Sequence, residues 1–351
     1  MNRPSSLFSP LPVFFGWGLR RGVSPLIFSL LSLLVLGSNL LLDLNCLGDE
    51  PQARSAVDEK RPWTKRLHTP TLLTKLNDTW FLVVCWQHRI LFNDDLDPDL
   101  GSWQILDDTL SGSHSIASNG IIYVVDNTGS HGLRVYSRKG EVFTVVQEIS
   151  DLGKRTHRVI YAPVPKAFFV LSSNSQDLYK FEVEGERLTL VEHRPLSFLE
   201  GQYTRSVTLH DDHLYFTSGP GAILKVRHRD GSYTVVERHT VPEKMKSMND
   251  VFPASDGWWY LTATPQAFIR TRDLASLARG EYEDLQEKLG FAGTPYYLFE
   301  ENGRLWIPQI TQHSGVVSFK LSDNLLIERQ VLFDFGPPTP EDLERMKVFP
   351  R

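Results

Sequence analysis

Ser247-Met-Asn-Asp-Val-Phe-Pro-Ala-Ser-Asp-Gly-Trp-Trp-Tyr-Leu-Thr-Ala-Thr264 reads as a β-strand, a turn at Asp256-Gly257 and a second, aromatic-rich strand. Aromatic and β-branched side chains suit a pleated, half-buried surface, and Asp-Gly supplies the backbone freedom a tight turn needs. The same pattern recurs over Pro70 to Asn93, Ser113 to Tyr136, Thr156 to Glu182, Thr204 to Arg227, Met248 to Arg270 and Pro295 to Leu321. Successive starts lie about 45 residues apart, the period of a propeller blade.

Each unit carries an aromatic or aliphatic second strand. These are Trp80-Phe-Leu-Val-Val84, Ile122-Tyr-Val-Val125, Phe168-Phe-Val-Leu171, Leu214-Tyr-Phe-Thr217, Trp259-Tyr-Leu-Thr262 and Leu305-Trp-Ile-Pro308. Fourth strands follow at Val142-Phe-Thr-Val-Val146, Leu188-Thr-Leu-Val191 and Tyr233-Thr-Val-Val-Glu237. Six four-stranded units predict an all-β fold, a six-bladed β-propeller over residues 67–335. Two unrelated sandwiches with evenly spaced strands are the rival reading.

An all-β domain of this kind takes up most of a 351-residue chain. A net charge of −5 and the lack of a basic cluster argue against nucleic acid as a partner. Cys46 and Cys85 do not form a disulfide framework; Cys85 ends a predicted strand and reads as a core thiol. Asn77-Asp-Thr79 matches the glycosylation sequon, and it is also ordinary turn chemistry.

Gly22 to Leu42 carries no charged residue and reaches the ~20 residues that cross a bilayer as a helix. Arg20 and Arg21 precede it, and Asp43, Asp49 and Glu50 follow. The charge bias predicts a signal anchor with residues 1–21 in the cytoplasm and the propeller outside; a cleaved signal peptide is the alternative. Residues 43–66 read as a polar stalk. Asp273 to Gly290 breaks the strand pattern, and Leu274, Leu277, Leu285 and Leu289 suggest one or two short amphipathic helices. In the tail, 336–351, Thr339 is an expected N-cap with Pro340 at the first helical position and acids in the first turn.

Propellers gather the starts of their innermost strands at one mouth of a central channel. Here those starts are Thr71, His114, His157, Arg205, Asn249 and Tyr296, beside Ser115, Arg158, Ser206, Asp250 and Tyr297. The turns between second and third strands add His88, His131 and His313, expected to be exposed. Imidazoles near carboxylate and amide groups suit acid–base work or a metal, which makes His114, His157 and Asp250 candidate catalytic residues. An arginine in a channel needs either Asp250 or an anionic ligand. Arg158 and Arg205 are therefore candidate ligand residues, with Tyr296 and Tyr297 as a stacking wall or a plug.

Asn249-Asp-Val251, followed by Asp256-Gly257 and Tyr260-Leu-Thr262, resembles the Asn-Asp blade of the gluconolactonase, regucalcin and paraoxonase families. Those families, like the strictosidine-synthase-like group, are six-bladed propellers, many of them calcium-dependent lactonases or esterases. The resemblance implies Asn249 and Asp250 near one divalent metal ion. The chain departs from the pattern: Glu200-Gly-Gln202 lies one blade before Asn249, and Pro295-Tyr-Tyr297 stands where Pro-Asp-Gly is usual. A ring of His, Arg, Asn and Tyr is a poor oxygen cage for calcium. The expected function is a membrane-anchored, extracytoplasmic propeller that takes a small polar or anionic ligand, or a protein partner, on its funnel face. The alternative is a metal-dependent lactonase or esterase with its site in the channel.

Overall fold

The computed structural model describes residues 66–345 except 219–220, 230 and 323–324. Six antiparallel sheets follow one another along the chain. Blade one is β1 (Pro70–Leu76), β2 (Thr79–Val84), β3 (Arg89–Asn93) and β4 (Gln104–Asp107). Blade two is β5 (Ile116–Ser118), β6 (Ile122–Asn127), β7 (Gly132–Lys139) and β8 (Val142–Ile149). Blade three is β9 (Thr156–Ala162), β10 (Ala167–Ser172), β11 (Asp177–Glu184) and β12 (Arg187–Pro195). Blade four is β13 (Val207–His210), β14 (His213–Ser218), β15 (Ala222–Arg229) and β16 (Ser232–Thr240). Blade five is β17 (Met248–Pro253), β18 (Trp259–Ala263), β19 (Ala267–Thr271) and β20 (Glu283–Asp284). In blade six the innermost strand is split into β21 (Thr294–Pro295) and β22 (Phe299–Glu301), both paired with β23 (Arg304–Ile310), before β24 (Gly315–Ser322) and β25 (Leu325–Asp334).

The second strands are buried on both faces, which is why they read as continuous apolar runs. Along β2 the side chains alternate between two cores. Phe81 and Val83 pack toward blade two with Ile116, Tyr123 and Val125, while Trp80, Leu82 and Val84 pack toward blade six with Trp306 and Val316. The same alternation yields cores between blades two and three, three and four, four and five, and five and six. Each fully buried aromatic, such as Phe81, Phe168, Phe216 or Phe268, is worth on the order of 2–3 kcal/mol of burial.

The ring closes without a shared strand among the described residues, since blades one and six are each built from consecutive chain. Packing and hydrogen bonds join them instead. Trp80 meets Trp306 edge-on at 5.6 Å, Tyr297 N donates to the Thr71 carbonyl at 3.2 Å, and Arg66 Nη2 donates to the Phe335 carbonyl at 2.9 Å. Outer strands carry a register shift in blades one, two, three, four and six. Such bulges twist an exposed edge and discourage strand-to-strand association.

Asp273 to Gly290 does not form α-helices. Leu274–Arg279 is a 3₁₀ segment capped by Asp273, whose carboxylate accepts from Ala275 N at 2.9 Å, and the two-residue β20 follows. The leucine spacing mimics a helix because Leu274 and Leu277 fill one inter-blade core and Leu285 another. The tail helix α1 (Pro340–Arg345) has a reciprocal cap: Asp342 N donates to Thr339 Oγ1 at 3.1 Å, and Thr339 N donates to Asp342 Oδ2 at 2.8 Å. Among the described residues no helix is long and apolar enough to cross a membrane. The apolar segment 22–42, the stalk and Cys46 lie outside the described residues.

Candidate functional site

The channel mouth is filled by two imidazoles and two phenols. His114, in the connection leading into β5, and His157, on β9, stack with ring centroids 3.8 Å apart and 25° from parallel. Tyr296 lies 6.1 Å from His114 and 4.7 Å from Tyr297. All four are enclosed, from 7% exposed for His114 to 0% for Tyr297. The tyrosines plug the channel as well as walling it.

His114 sits on a polar relay rooted in blade two. Asp126, at the end of β6 and fully buried, accepts from four donors. These are His114 N at 3.0 Å, Ser115 N at 2.6 Å, Ser115 Oγ at 2.9 Å and Thr128 Oγ1 at 2.7 Å. Burial pushes the Asp126 carboxyl up to about 7 against the pull of those donors. Thr128 gives its proton to Asp126, so its oxygen accepts from His114 Nδ1–H at 3.0 Å. The remaining nitrogen, Nε2, faces the buried Cys85 thiol at 3.4 Å. Burial raises Cys85 well above the usual thiol range, so it is a protonated core group as expected.

His157 is oriented from the far side of the ring. The Tyr297 hydroxyl donates to the Arg205 carbonyl at 2.7 Å, and therefore accepts from His157 Nδ1–H at 2.8 Å. That leaves the lone pair on Nε2 of His157, which meets no hydrogen-bond donor among the described residues. Burial first, then the Arg155 and Arg205 charges, lowers His114 to about 3. Burial first, then charge repulsion from His114, Arg205 and Arg155, holds His157 well below its ordinary value. Both rings are neutral at physiological pH.

Arg155 and Arg205 flank Tyr203, their guanidinium carbons 5.9 Å and 4.9 Å from its ring centroid. Tyr203 in turn meets His157 edge-on at 5.9 Å. Arg205 Nη1 reaches the Ser247 carbonyl at 3.4 Å. Among the described residues neither arginine has a carboxylate within ion-pair distance. Arg155 takes a left-handed conformation (φ 62°) at the end of the β8–β9 connection, and its N–H donates to His131 Nδ1 at 3.0 Å. The connection turns at Gly153 (φ 67°), where a Cβ would lie 2.2 Å from Ser175 Oγ, so only glycine fits.

Other expected site residues are placed differently. Asp250 is buried and links three blades, accepting from Ser206 Oγ at 2.8 Å and from Leu298 N at 3.0 Å. Asn249 donates to the Pro295 carbonyl at 3.0 Å and accepts from Thr264 Oγ1 at 3.0 Å. The Asp250 oxygens join blades and the Asn249 oxygen is held within blade five, and among the described residues no three His, Cys, Asp or Glu side chains converge as metal ligands would. Arg158 does not pair with Asp250; it lies over the Tyr297 ring at 4.0 Å. Of the turn histidines, His88 is buried rather than exposed and accepts from Gly112 N at 3.1 Å, repeating the His131 arrangement one blade earlier. His313, half-buried, pairs with Asp334 at 2.9 Å.

Sequence reasoning passed over Asp126, Thr128, Arg155 and Tyr203. Asp126 carried a usable signal, a lone acid closing the apolar run Ile122–Val125. A separate cavity of about 390 Å³ between blades three and four is lined by Phe169, Lys180, Glu192, His228 and Tyr233 among others. Its Glu192 is committed to Arg194 and Tyr233, so it offers no poised acid–base pair.

No protein-family model matches the sequence, and no curated protein is similar to it. Solved structures do superpose on it. A 6-phosphogluconolactonase-like protein of Bacteroides uniformis superposes with a TM-score of 0.56 at 13% identity, over 77% of this chain and 87% of that one. The periplasmic gluconolactonase of Pseudomonas aeruginosa gives 0.52 at 16% identity, over 77% and 87%. Hydrazine synthase of Kuenenia stuttgartiensis gives 0.53 at 15% identity, over 78% and 80%. The chain is a six-bladed propeller with gluconolactonase-type propellers among its structural neighbours. At these identities the likeness establishes the fold, and fold does not fix activity.

Proposed function

We propose that this protein binds a small anionic ligand on the funnel face of its propeller, held by Arg155 and Arg205 beside Tyr203 and His157. The observation that carries the reading is two guanidiniums at one mouth, with no carboxylate among the described residues within ion-pair distance of either. Guanidinium forks recognise carboxylate or phosphate bidentately. Tyr203 offers a stacking surface, and the free His157 Nε2 accepts from a ligand hydroxyl. A carboxylate-bearing polyol, such as a sugar acid, matches that set. The test is calorimetric titration of the full-length protein with gluconate, glucarate and phosphate. Arg205→Gln should weaken binding at least tenfold; equal affinity in the variant, or no response to any of the three, would sink the proposal.

A second reading, hydrolysis of a lactone or ester, is favoured by the neutral imidazoles and by the lactonases among the structural neighbours. His157 Nε2 would take the proton from water, and Arg205 would stabilise the developing oxyanion. Hydrolysis of glucono-δ-lactone above the buffer rate, lost in His157→Ala, would establish it. We further propose that residues 22–42 anchor the propeller outside the cytoplasmic face, which membrane fractionation and protease protection test directly. A protein partner on the same face remains the reading to pursue when small anions give no response.

A further inference from the structure

The cavity of about 390 Å³ between blades three and four lies on the face opposite the mouth. Pro165, Asp212 and Gly231, which line it, stand in the β9–β10, β13–β14 and β15–β16 turns. His157 and Arg205 stand at the other ends of β9 and β13. Blade three presents one row of side chains to this space. Phe169 is paired across strands with Lys180, and Lys180 with Glu192, so the three share a face. Phe169 belongs to the core between blades three and four, which fixes that face as the one turned to blade four. Blade four answers with His228 and Tyr233, themselves a cross-strand pair, and Tyr233 packs against the same core.

Three rings make an aromatic corner there. His228 meets Phe169 edge-on at 5.3 Å and lies 21° from parallel to Tyr233, with centroids 6.4 Å apart. The charges are divided between the blades. Glu192 is already held by Arg194 Nε at 2.7 Å and by the Tyr233 hydroxyl at 3.2 Å. Lys180 reaches only the exposed Glu182, at 3.9 Å. On blade four, the Asp212 carboxylate has no ion-pair or hydrogen-bond partner among the described residues. Both charges bear on His228: burial lowers that imidazole, Asp212 raises it and Lys180 lowers it. A weakly held cation and an unpaired anion therefore address one aromatic corner from two blades.

We propose that this cavity binds a free aromatic amino acid, its carboxylate on Lys180, its ammonium on Asp212 and its ring against Phe169 and His228. A simple anion would suit Lys180 but meet Asp212 and Glu192. A simple cation would suit Asp212 but meet Lys180. A zwitterion satisfies both. The volume falls within the range of about 300–1,000 Å³ typical of small-molecule pockets, too small for a folded partner. Edge-to-face contact with the lining rings adds to the burial of the ligand's own ring. This site is separate from the mouth and does not depend on the ligand held there.

The experiment is calorimetric titration of the full-length protein with L-phenylalanine, L-tyrosine and L-tryptophan. Binding of at least one is expected, and glycine, a zwitterion without a ring, should give none. N-acetylation of the ligand removes its ammonium and amidation removes its carboxylate; each should weaken binding about tenfold. Asp212→Asn should erase the preference over the N-acetyl form, and Lys180→Gln the preference over the amide. Asp212 has a left-handed backbone (φ 57°), which asparagine also accepts, so that variant should fold. Arg205→Gln should bind as wild type does, which separates this site from the mouth. No heat with any of the three amino acids, equal affinity for the blocked forms, or a loss confined to Arg205→Gln would overturn the proposal. The His228 ring signals, assigned by their absence in His228→Gln, supply a check in the wild-type protein. They should move on titration, and movement of His157 alone would refute the site.

Discussion

The imidazoles of His114 and His157 lie face to face, 3.8 Å between centroids, although they belong to different blades. Two protonated rings could not share that position beneath Arg155 and Arg205. The relays through Thr128 and Tyr297 fix each ring with its proton on Nδ1 and its lone pair on Nε2.

Acid should therefore unfold the propeller. Both histidines have folded-state values below the unfolded 6.5, His114 at about 3. Their stability contribution is complete above pH 6.5 and is lost as pH falls from there toward 3. Each imidazole contributes a slope of about 1.4 kcal/mol per pH unit inside that window. Asp126 acts in the opposite sense, because its raised value favours the folded state at low pH and that contribution disappears as pH rises through about 7. The two effects leave a net slope of roughly one imidazole between pH 6.5 and 4. Urea midpoints measured across pH 4–8 should fall on the acid side, and His157→Gln should flatten the fall. A level profile in wild type would contradict the neutral pair.

Removing one hydroxyl should disturb both the plug and the imidazole. In Tyr297→Phe the Arg205 carbonyl loses its donor and His157 Nδ1–H loses its acceptor. Leaving such buried groups unmet costs about 1–3 kcal/mol. Chemical denaturation reads that cost. The His157 ring nitrogens, followed by nitrogen-15 NMR, should shift from a single tautomer to a mixture.

Much of the fold was legible because each blade repeats a strong local signal. Trp80, Tyr123, Phe168, Tyr215, Tyr260 and Trp306 all stand in second strands bounded by turn residues. The third and fourth strands could be placed by their distance from that signal. Blade five's outer strand could not, since Leu274 and Leu277 point into a core from a 3₁₀ segment and copy helical spacing. The site was half legible. His114, His157 and Arg205 were found because the repeat marks where each chain segment enters an innermost strand, although His114 and Arg205 stand just before β5 and β13. Arg155 and Tyr203 sit in connections where no periodicity operates, and Asp126 reaches the channel from a second strand. Asn249 and Asp250 were legible as residues, but the hydrogen bonds that tie them to neighbouring blades were not, because such bonds are invisible in a linear pattern.

Asp250 is expected to behave as a structural tie. Asp250→Ala strands the Ser206 hydroxyl and the Leu298 amide, at a cost of about 2–5 kcal/mol. Asp250→Asn keeps one acceptor oxygen and should lose less. Treatment with a chelator should leave the unfolding midpoint of wild type unchanged. A chelator-dependent drop that Asp250→Asn abolishes would restore the metal reading.

Ring closure is the last point at which the fold can be tested. Blades one and six share no strand among the described residues, so the seam depends on side chains meeting across it. Trp80 is the centre of that seam, edge-on to Trp306 at 5.6 Å and to Phe299 at 6.1 Å. It is 8% exposed, and truncation to alanine removes an indole that no neighbouring backbone can move to replace. Trp80→Ala should cost about 3–5 kcal/mol. The loss should be local in its first effect: amide exchange should quicken in β1 and β23 before it does in β9 or β14, because the inter-blade cores on the opposite side stay intact. Trp306→Ala should give the same pattern, and the double variant should cost less than the sum of the two, since both remove one shared contact. Uniformly faster exchange around the whole ring would show instead that the seam is not the weak point of closure.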